Sequence, residues 1–325
     1  MSSSDGGDAA AQTGVKRLEA VSSTWTKTGL YMAYLGIVLI ATTTSLEVQA
    51  TTQLTIFATS SFSAHTLVST VGVVSGVVLS VAKPPMSKFA DVFGRFEAFT
   101  LAVVIYVAGY VQQALSKTIA TYATAQIFYA AGSTGLQILI QIFIADTSDL
   151  VNRALCSAIP AVPFLFTYWA GPPIAQAVLP DWRLGYGIWA VILPVTFLPL
   201  GLSLCLNQRK AARDGRLPSP FWKDQSTWLV VKHLWIEMDA FGLILIAAAV
   251  SLIMIPLTLA GRSPNGWSDP SIIAMFATGA LCMILVPLWE CSSVWAPRAF
   301  LPRGLLADGR ILAGFGIAFF YFSKS

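Results

Sequence analysis

The sequence predicts an all-α polytopic membrane protein, and three observations predict it. Hydrophobic residues make up 55% of the 325-residue chain and charged residues only 11%. A soluble domain carries roughly a quarter charged residues, so a body of this length lacks the charge to coat a water-facing surface. The apolar residues gather into runs that approach the roughly 20 residues needed to cross a hydrocarbon core about 30 Å thick. The Lys and Arg residues lie between those runs, where they set topology and do not form a nucleic-acid face.

The elements follow in order. Residues 1–27 are predicted to form a disordered cytoplasmic tail, because Met1 to about Val21 is polar and rich in small residues. The tail lacks the basic start and short apolar core of a cleaved signal peptide. Membrane spans are predicted at about 28–48, 66–82, 98–115, 120–144, 154–179, 185–206, 240–260 and 271–289. The Gly, Pro, Ser and Thr inside them are tolerated where neighbours satisfy the backbone, and small residues let helices approach. A ninth apolar run, Ile311–Phe322, would extend only about 18 Å, too short to span. The expectation is a chain that stops inside a ninth helix. The domains expected are a six-helix bundle over 28–206, a basic cytoplasmic loop over 207–238, and 239–325 as two full helices and a partial third.

Orientation follows from the basic residues. With the N-terminus in the cytoplasm, the inner segments hold Lys16, Arg17, Lys27, Lys83, Lys88, Arg95, Arg153, Arg209, Lys210, Arg213, Arg216, Lys223, Lys232, Arg298, Arg303 and Arg310. The outer segments hold only Lys117, Arg183 and Arg262.

Enzyme chemistry finds no purchase. The four cysteines, Cys156, Cys205, Cys282 and Cys291, form no CxxC pair, and His65 and His233 lie far apart. Neither a disulfide framework nor a zinc site is expected. No nucleophile elbow or aspartate-rich metal motif is present.

Between spans two and three the chain reads Lys88-Phe89-Ala90-Asp91-Val92-Phe93-Gly94-Arg95. Gly94 permits a tight reversal. Asp91 can cap or pair near a helix end, and Arg95 can pair with acids or a helix C-terminus. Asp–x–x–Gly–Arg at this place resembles the signature turn of the major facilitator superfamily, whose two six-helix halves enclose a midplane site. Gly171-Pro172-Pro173 in span five resembles the Gly–Pro element of fourteen-helix facilitators, where the prolines remove two donors and bend the helix.

Longer stretches are similar to the fungal siderophore–iron transporters: Ala90–Phe99, Ala125–Leu155, Gly171–Leu179, Trp182–Pro194 and Asn207–Lys210. The resemblance runs from about Thr28 onward. It implies a major facilitator-type bundle of fourteen helices, of which this chain matches the first eight and part of the ninth. It also implies proton-driven import of ferric siderophores across the plasma membrane or an endosomal vesicle membrane. The partners implied are the ferric siderophore, protons and the lipid bilayer, with no nucleic acid. No cofactor is implied, because the siderophore holds iron through its own oxygens. Gln126 stands where drug–proton antiporters of this architecture carry Arg, which argues against drug export. The alternatives are a related drug or glutathione–proton exchanger and a truncated fragment that does not transport.

Ionisable groups inside a membrane are costly and so mark function. Glu47 is the first candidate and is expected near the outer end of span one. By the resemblance it matches the acidic residue of helix one in fourteen-helix facilitators. A carboxyl group taken out of water favours its neutral form, which suits proton exchange; the other reading is an inert interfacial acid. His65, at the outer mouth of span two, is a candidate for substrate contact or proton transfer, or an interfacial histidine. Gln126, Tyr129, Gln137 and Gln141 fall on related faces of span four, where they line a polar cavity or bond between helices. Tyr168 and Trp169 could supply aromatic contacts to a large substrate. Asp146, Asp149 and Arg153 close span four; Asp149 and Arg153 have the spacing to pair on a helix face, in a gating or structural network.

Overall fold

The computed structural model describes residues 24–61, 65–179, 181–215, 227–261, 263 and 265–292, together with 309, 311, 313, 314, 316 and 317. The tail to residue 23, residues 216–226 of the expected loop, and the rest of the ninth run lie outside the described residues. So do the side chains of His65 and His233. The chain divides into one unit over Met1–Ser219 and another over Pro220–Ser325.

In the first unit the helices are α1 (Lys27–Ser61), α2 (His65–Val81), α3 (Lys83–Phe93), α4 (Arg95–Leu115), α5 (Ile119–Thr147), α6 (Arg153–Ala158), α7 (Phe164–Val178) and α8 (Trp182–Arg213). The second holds α9 (Thr227–Glu237), α10 (Ala240–Leu259) and α11 (Pro270–Glu290). Among the described residues, seven segments are long and apolar enough to cross a membrane: α1, α4, α5, α6 through α7, α8, α10 and α11. The chain is a polytopic, all-helical membrane protein. The sequence led us to expect eight spans. The remaining expected span, 66–82, coincides with α2, whose 17 residues extend about 25 Å, at the short end of what can cross.

α1 is the largest departure from expectation, for it continues thirteen residues past the predicted end at 48. The expected boundary at 48 falls in a threonine-rich run, Glu47–Thr59. Its hydroxyls instead bond back into the same helix: Thr51 donates to the Glu47 carbonyl at 2.8 Å, Thr52 to Val48 at 2.7 Å, Thr55 to Thr51 at 2.8 Å and Thr59 to Thr55 at 2.7 Å. Backbonding of this kind satisfies polar side chains without water.

The expected turn between spans two and three is largely a helix, α3, opened by prolines in its first turn, where a missing N–H costs nothing. Gly94 alone joins α3 to α4. Its φ of 114° is open to glycine and strained for other residues. α5 starts on a capping box, with Thr118 accepting from the Thr121 amide at 3.2 Å. Span five is interrupted at a 3₁₀ turn, Ile159–Ala161, beside Pro160 and Pro163, whereas Pro172 and Pro173 lie within α7. α8 continues to Arg213 and α9 forms over 227–237, so both helices enter the segment expected to be loop. Lys210 and Arg213 in the last turn of α8 complement the negative end of its dipole.

The first unit is built on close helix crossings: α4 with α5 and α8, α1 with α7 and α8, and α5 with α2 and α3. Glycines set the distances. A Cβ on Gly132 would lie 2.4 Å from the Tyr106 backbone nitrogen, and one on Gly109 would lie 2.5 Å from that of Tyr129. These contacts lock α4 against α5 in antiparallel register. Gly36 meets the Leu200 backbone in the same way and brings α1 onto α8. The outward surface remains apolar, with Tyr31, Leu165, Phe166, Val191 and Leu202 well exposed, as suits lipid contact.

The second unit is centred on the α10–α11 hairpin. Asp239, at φ 47°, caps α10 through the Gly242 amide at 3.3 Å and accepts from Trp289 Nε1 at 3.0 Å. Gly279 sits against the Leu252 backbone.

Candidate functional site

Glu47 lies in the middle of α1, not at its end, and only 2% of its surface is exposed. α1 presents it to the α4–α5 pair. Tyr106 of α4 donates to Glu47 Oε2 at 2.8 Å, and Thr51, one turn along α1, donates to Oε1 at 3.1 Å. Among the described residues no Lys or Arg pairs with the carboxylate; the ion pairs found there all involve Arg95. A carboxylate buried away from cations is costly; here hydroxyl donors are what it has.

Tyrosines surround it. Tyr106 stacks on Tyr110 with centroids 5.2 Å apart, and Tyr129 of α5 meets both edge-on at 5.4 and 5.5 Å. The Tyr110 hydroxyl faces Glu47 without a hydrogen bond of good geometry. The polar groups continue from there. Tyr186 of α8 bonds to Thr55 Oγ1 at 3.2 Å and to the Tyr122 hydroxyl at 2.9 Å, and Gln126 Nε2 donates to Tyr122 at 3.0 Å. Trp182 packs edge-on to Tyr186 and Tyr122. Arg183 lies 4.4 Å over the Trp182 ring and donates to the Ser116 carbonyl at 3.1 Å, at the end of α4.

Of the predicted residues, the fold thus gathers Glu47, Gln126 and Tyr129. Gln137 and Tyr168 lie elsewhere: Gln137 is exposed on the surface of the first unit, and Tyr168 is 66% exposed beside Trp169. At the level of Gln137 the inward face of α5 belongs to Gly132, Gly135 and Leu139, which pack on Tyr106 and Met86 or lie in the core. That packing turns Gln137 outward. Gly171 is buried against Gln49 of α1, so the Gly–Pro–Pro element brings α7 close to α1 near Glu47. The residues that sequence reasoning missed are Tyr106, Tyr110, Tyr122 and Tyr186. Tyr106 and Tyr110 are four apart in an apolar run, a signal that does not differ from ordinary aromatic packing.

A second cluster sits where α3, α4 and α5 end. Arg95 donates from Nη1 to Asp91 at 2.8 Å and from Nε to Asp146 at 2.9 Å, tying the signature turn to the end of α5. The expected Asp149–Arg153 pair does not form. Residues 148–152 are not helical, so the four-residue spacing has no common face, and Arg153 instead donates to the Ala145 carbonyl at 3.0 Å. Nearby, Tyr34 bonds to Thr147 at 3.0 Å, and Gln208 of α8 donates to Glu97 at 2.5 Å. No three His, Cys, Asp or Glu side chains come together as metal ligands among the described residues.

No protein-family model matches the chain. It is 53% identical to the siderophore iron transporter mirC of Emericella nidulans over 96% of its own length and 52% of that protein. It is 52% identical to the MFS siderochrome iron transporter C of Aspergillus fumigatus, again over 96% of its length and 51% of the relative. It is 39% identical to siderophore iron transporter 2 of Schizosaccharomyces pombe over 95% of its length and 53% of the relative. The chain spans about half the length of these curated relatives.

Proposed function

Because this chain is a homologue of the fungal siderophore iron transporters, we propose that it provides the proton-coupling part of a secondary active importer of ferric siderophores, with Glu47 as the proton-exchanging group. It acts in the plasma membrane or an endosomal vesicle membrane with its N-terminus in the cytoplasm, the side that collects its Lys and Arg residues. The observation that carries the reading is the position of Glu47: a carboxylate in mid-helix, buried, and held by Tyr106 and Thr51 with no cation partner among the described residues. Ionisable groups so placed are retained for work with ions or substrates.

The mechanism follows from the cost of charge. Neutral Glu47 rests among hydroxyls and rings; ionised Glu47 needs water or a rearrangement of its donors. Proton release is therefore tied to opening of the helices around it, and an opening that also exposes the substrate site links the two movements. The Arg95–Asp91–Asp146 cluster holds α3, α4 and α5 together at the opposite end of α4 from Arg183, and acts as the inner clamp of that rearrangement. The siderophore keeps its iron in its own oxygen shell, so no iron ligands are needed from the protein.

The test is uptake of ⁵⁵Fe-loaded siderophores by iron-starved cells without other importers, expressing this chain. Glu47→Gln is expected to abolish pH-driven accumulation while siderophore binding at equilibrium persists. Undiminished uptake with unchanged pH dependence would remove Glu47 from the mechanism.

A further inference from the structure

Gln113 lies on the same face of α4 as Tyr106 and Tyr110, at the spacing i, i+4, i+7. It is 1% exposed, and neither its side-chain oxygen nor its side-chain nitrogen has a hydrogen-bond partner among the described residues. The Tyr110 hydroxyl, also 1% exposed, faces Glu47 without a hydrogen bond of good geometry. Buried polar groups are nearly always bonded, and each exception calls for an explanation. Of the buried side chains without a well-formed bond, Tyr110 and Gln113 share one face of α4, while Thr134 and Thr167 lie on other helices. The α4–α5 register set by Gly109 and Gly132 puts Gln113 level with Ala125, between Tyr122 and Tyr129. Gln113 is about 10 Å along the helix from Tyr106 and three residues from Ser116, where α4 ends and Arg183 is bound.

We infer that Tyr110 and Gln113 form the proton-entry route to Glu47, a polar file along α4 that carries water or hydronium between the carboxylate and the end of α4, past buried Ser116 to exposed Lys117. The inference rests on the reading of Glu47 as the proton-exchanging group and adds the path by which the proton arrives. An unpaired amide and a poorly bonded hydroxyl in a packed interior lower stability, and apolar residues of the same shape would remove that penalty. A route for water is a use that requires them to stay polar. The titratable groups facing this file are Tyr106 and Tyr110 on α4, Tyr122 and Tyr129 on α5, and Tyr186 on α8, with Arg183 at its outer end. α7 meets α1 through Gly171, and α2 has no titratable residue beyond His65. Tyr110 and Gln113 are positioning residues, since neither exchanges the transported proton at Glu47.

The test needs no knowledge of the substrate. The complete protein is reconstituted in phosphatidylcholine bilayers, and the carboxyl stretch of Glu47 is identified by infrared difference spectroscopy as the band lost in Glu47→Gln. Its response to pH jumps across about pH 4 to 9 is then timed in Gln113→Met, Gln113→Asn and Tyr110→Phe. Gln113→Met and Tyr110→Phe are expected to melt no lower than the parent and to slow the response by roughly ten- to a hundredfold, within reach of what positioned proton-transfer groups contribute. Gln113→Asn, which keeps the amide, should restore most of the rate. Parent-like rates in both apolar variants, or lowered melting temperatures in both, would overturn the route and leave Glu47 standing. A Glu47 band that fails to respond in the parent would instead overturn the reading beneath it.

Discussion

Gly132→Ala tests the contact that holds the site together. The added Cβ would lie 2.4 Å from the Tyr106 nitrogen, 2.5 Å from its Cα and 2.6 Å from its Cβ, against an ordinary contact of 3.4 Å or more. All three atoms are backbone or fixed to it, so no rotamer change relieves the clash. α4 must retreat from α5 by about 1 Å, and overpacking of this kind costs roughly 1–3 kcal/mol. The same shift displaces Tyr106, which donates to Glu47 at 2.8 Å, and loss of that bond would forfeit about 1 kcal/mol more. Gly187→Ala is the control, because no atom lies within 4 Å of a Cβ there and alanine in a helix is neutral to stabilising by up to about 1 kcal/mol. Thermal unfolding of both variants in the same detergent should place Gly132→Ala lower by several degrees, at roughly 2–4 °C per kcal/mol. Equal melting temperatures would refute the packing argument and, with it, the α4–α5 register that positions Gln113.

Two other predictions concern helix ends. Gly94→Ala forces a residue with a side chain into φ 114° and is expected to cost about 1–3 kcal/mol, seen as a lower melting temperature; an unchanged value would show that the α3–α4 link relaxes freely. Asp269 caps α11 through the Ser271 amide at 3.0 Å and accepts from the Ser263 hydroxyl. The Ser263 bond, then the Ser271 bonds, hold its carboxyl below the usual 3.8. Because the folded value is the lower one, the cap is intact above about pH 4 and is lost as pH falls through the folded value. Exchange of the Ser271 amide should quicken in acid, and Asp269→Asn should abolish that pH dependence; a profile that persists in Asp269→Asn would reject the cap as its source.

The span-forming segments were legible in the sequence because the bilayer makes each helix answer for its own backbone. Every N–H and C=O inside the hydrocarbon must bond within the segment, so a run of apolar residues such as 240–260 or 271–289 declares itself without reference to its neighbours. Gly94 was legible for a similar reason, since a one-residue reversal between two helices needs glycine. The polar half of α1 was misread because its threonines bond to carbonyls one turn back, a solution that composition does not reveal.

Glu47 was chosen from the sequence as a functional suspect, yet its mid-helix burial and its partners belong to the tertiary structure. Lipid is as apolar as the interior of the bundle, so no hydrophobic stripe tells which face of a span turns inward. Glycine contacts decide that: Gly132 and Gly109 draw Tyr106 and Tyr129 together, and the same packing sends Gln137 to the surface. The sequence by itself determined that this chain threads a membrane and placed a single acid within its first helix. Only the packing of α1, α4, α5 and α8 decided that the acid would be enclosed by tyrosines, because that depends on how closely backbones approach, a property of pairs of helices and not of any one.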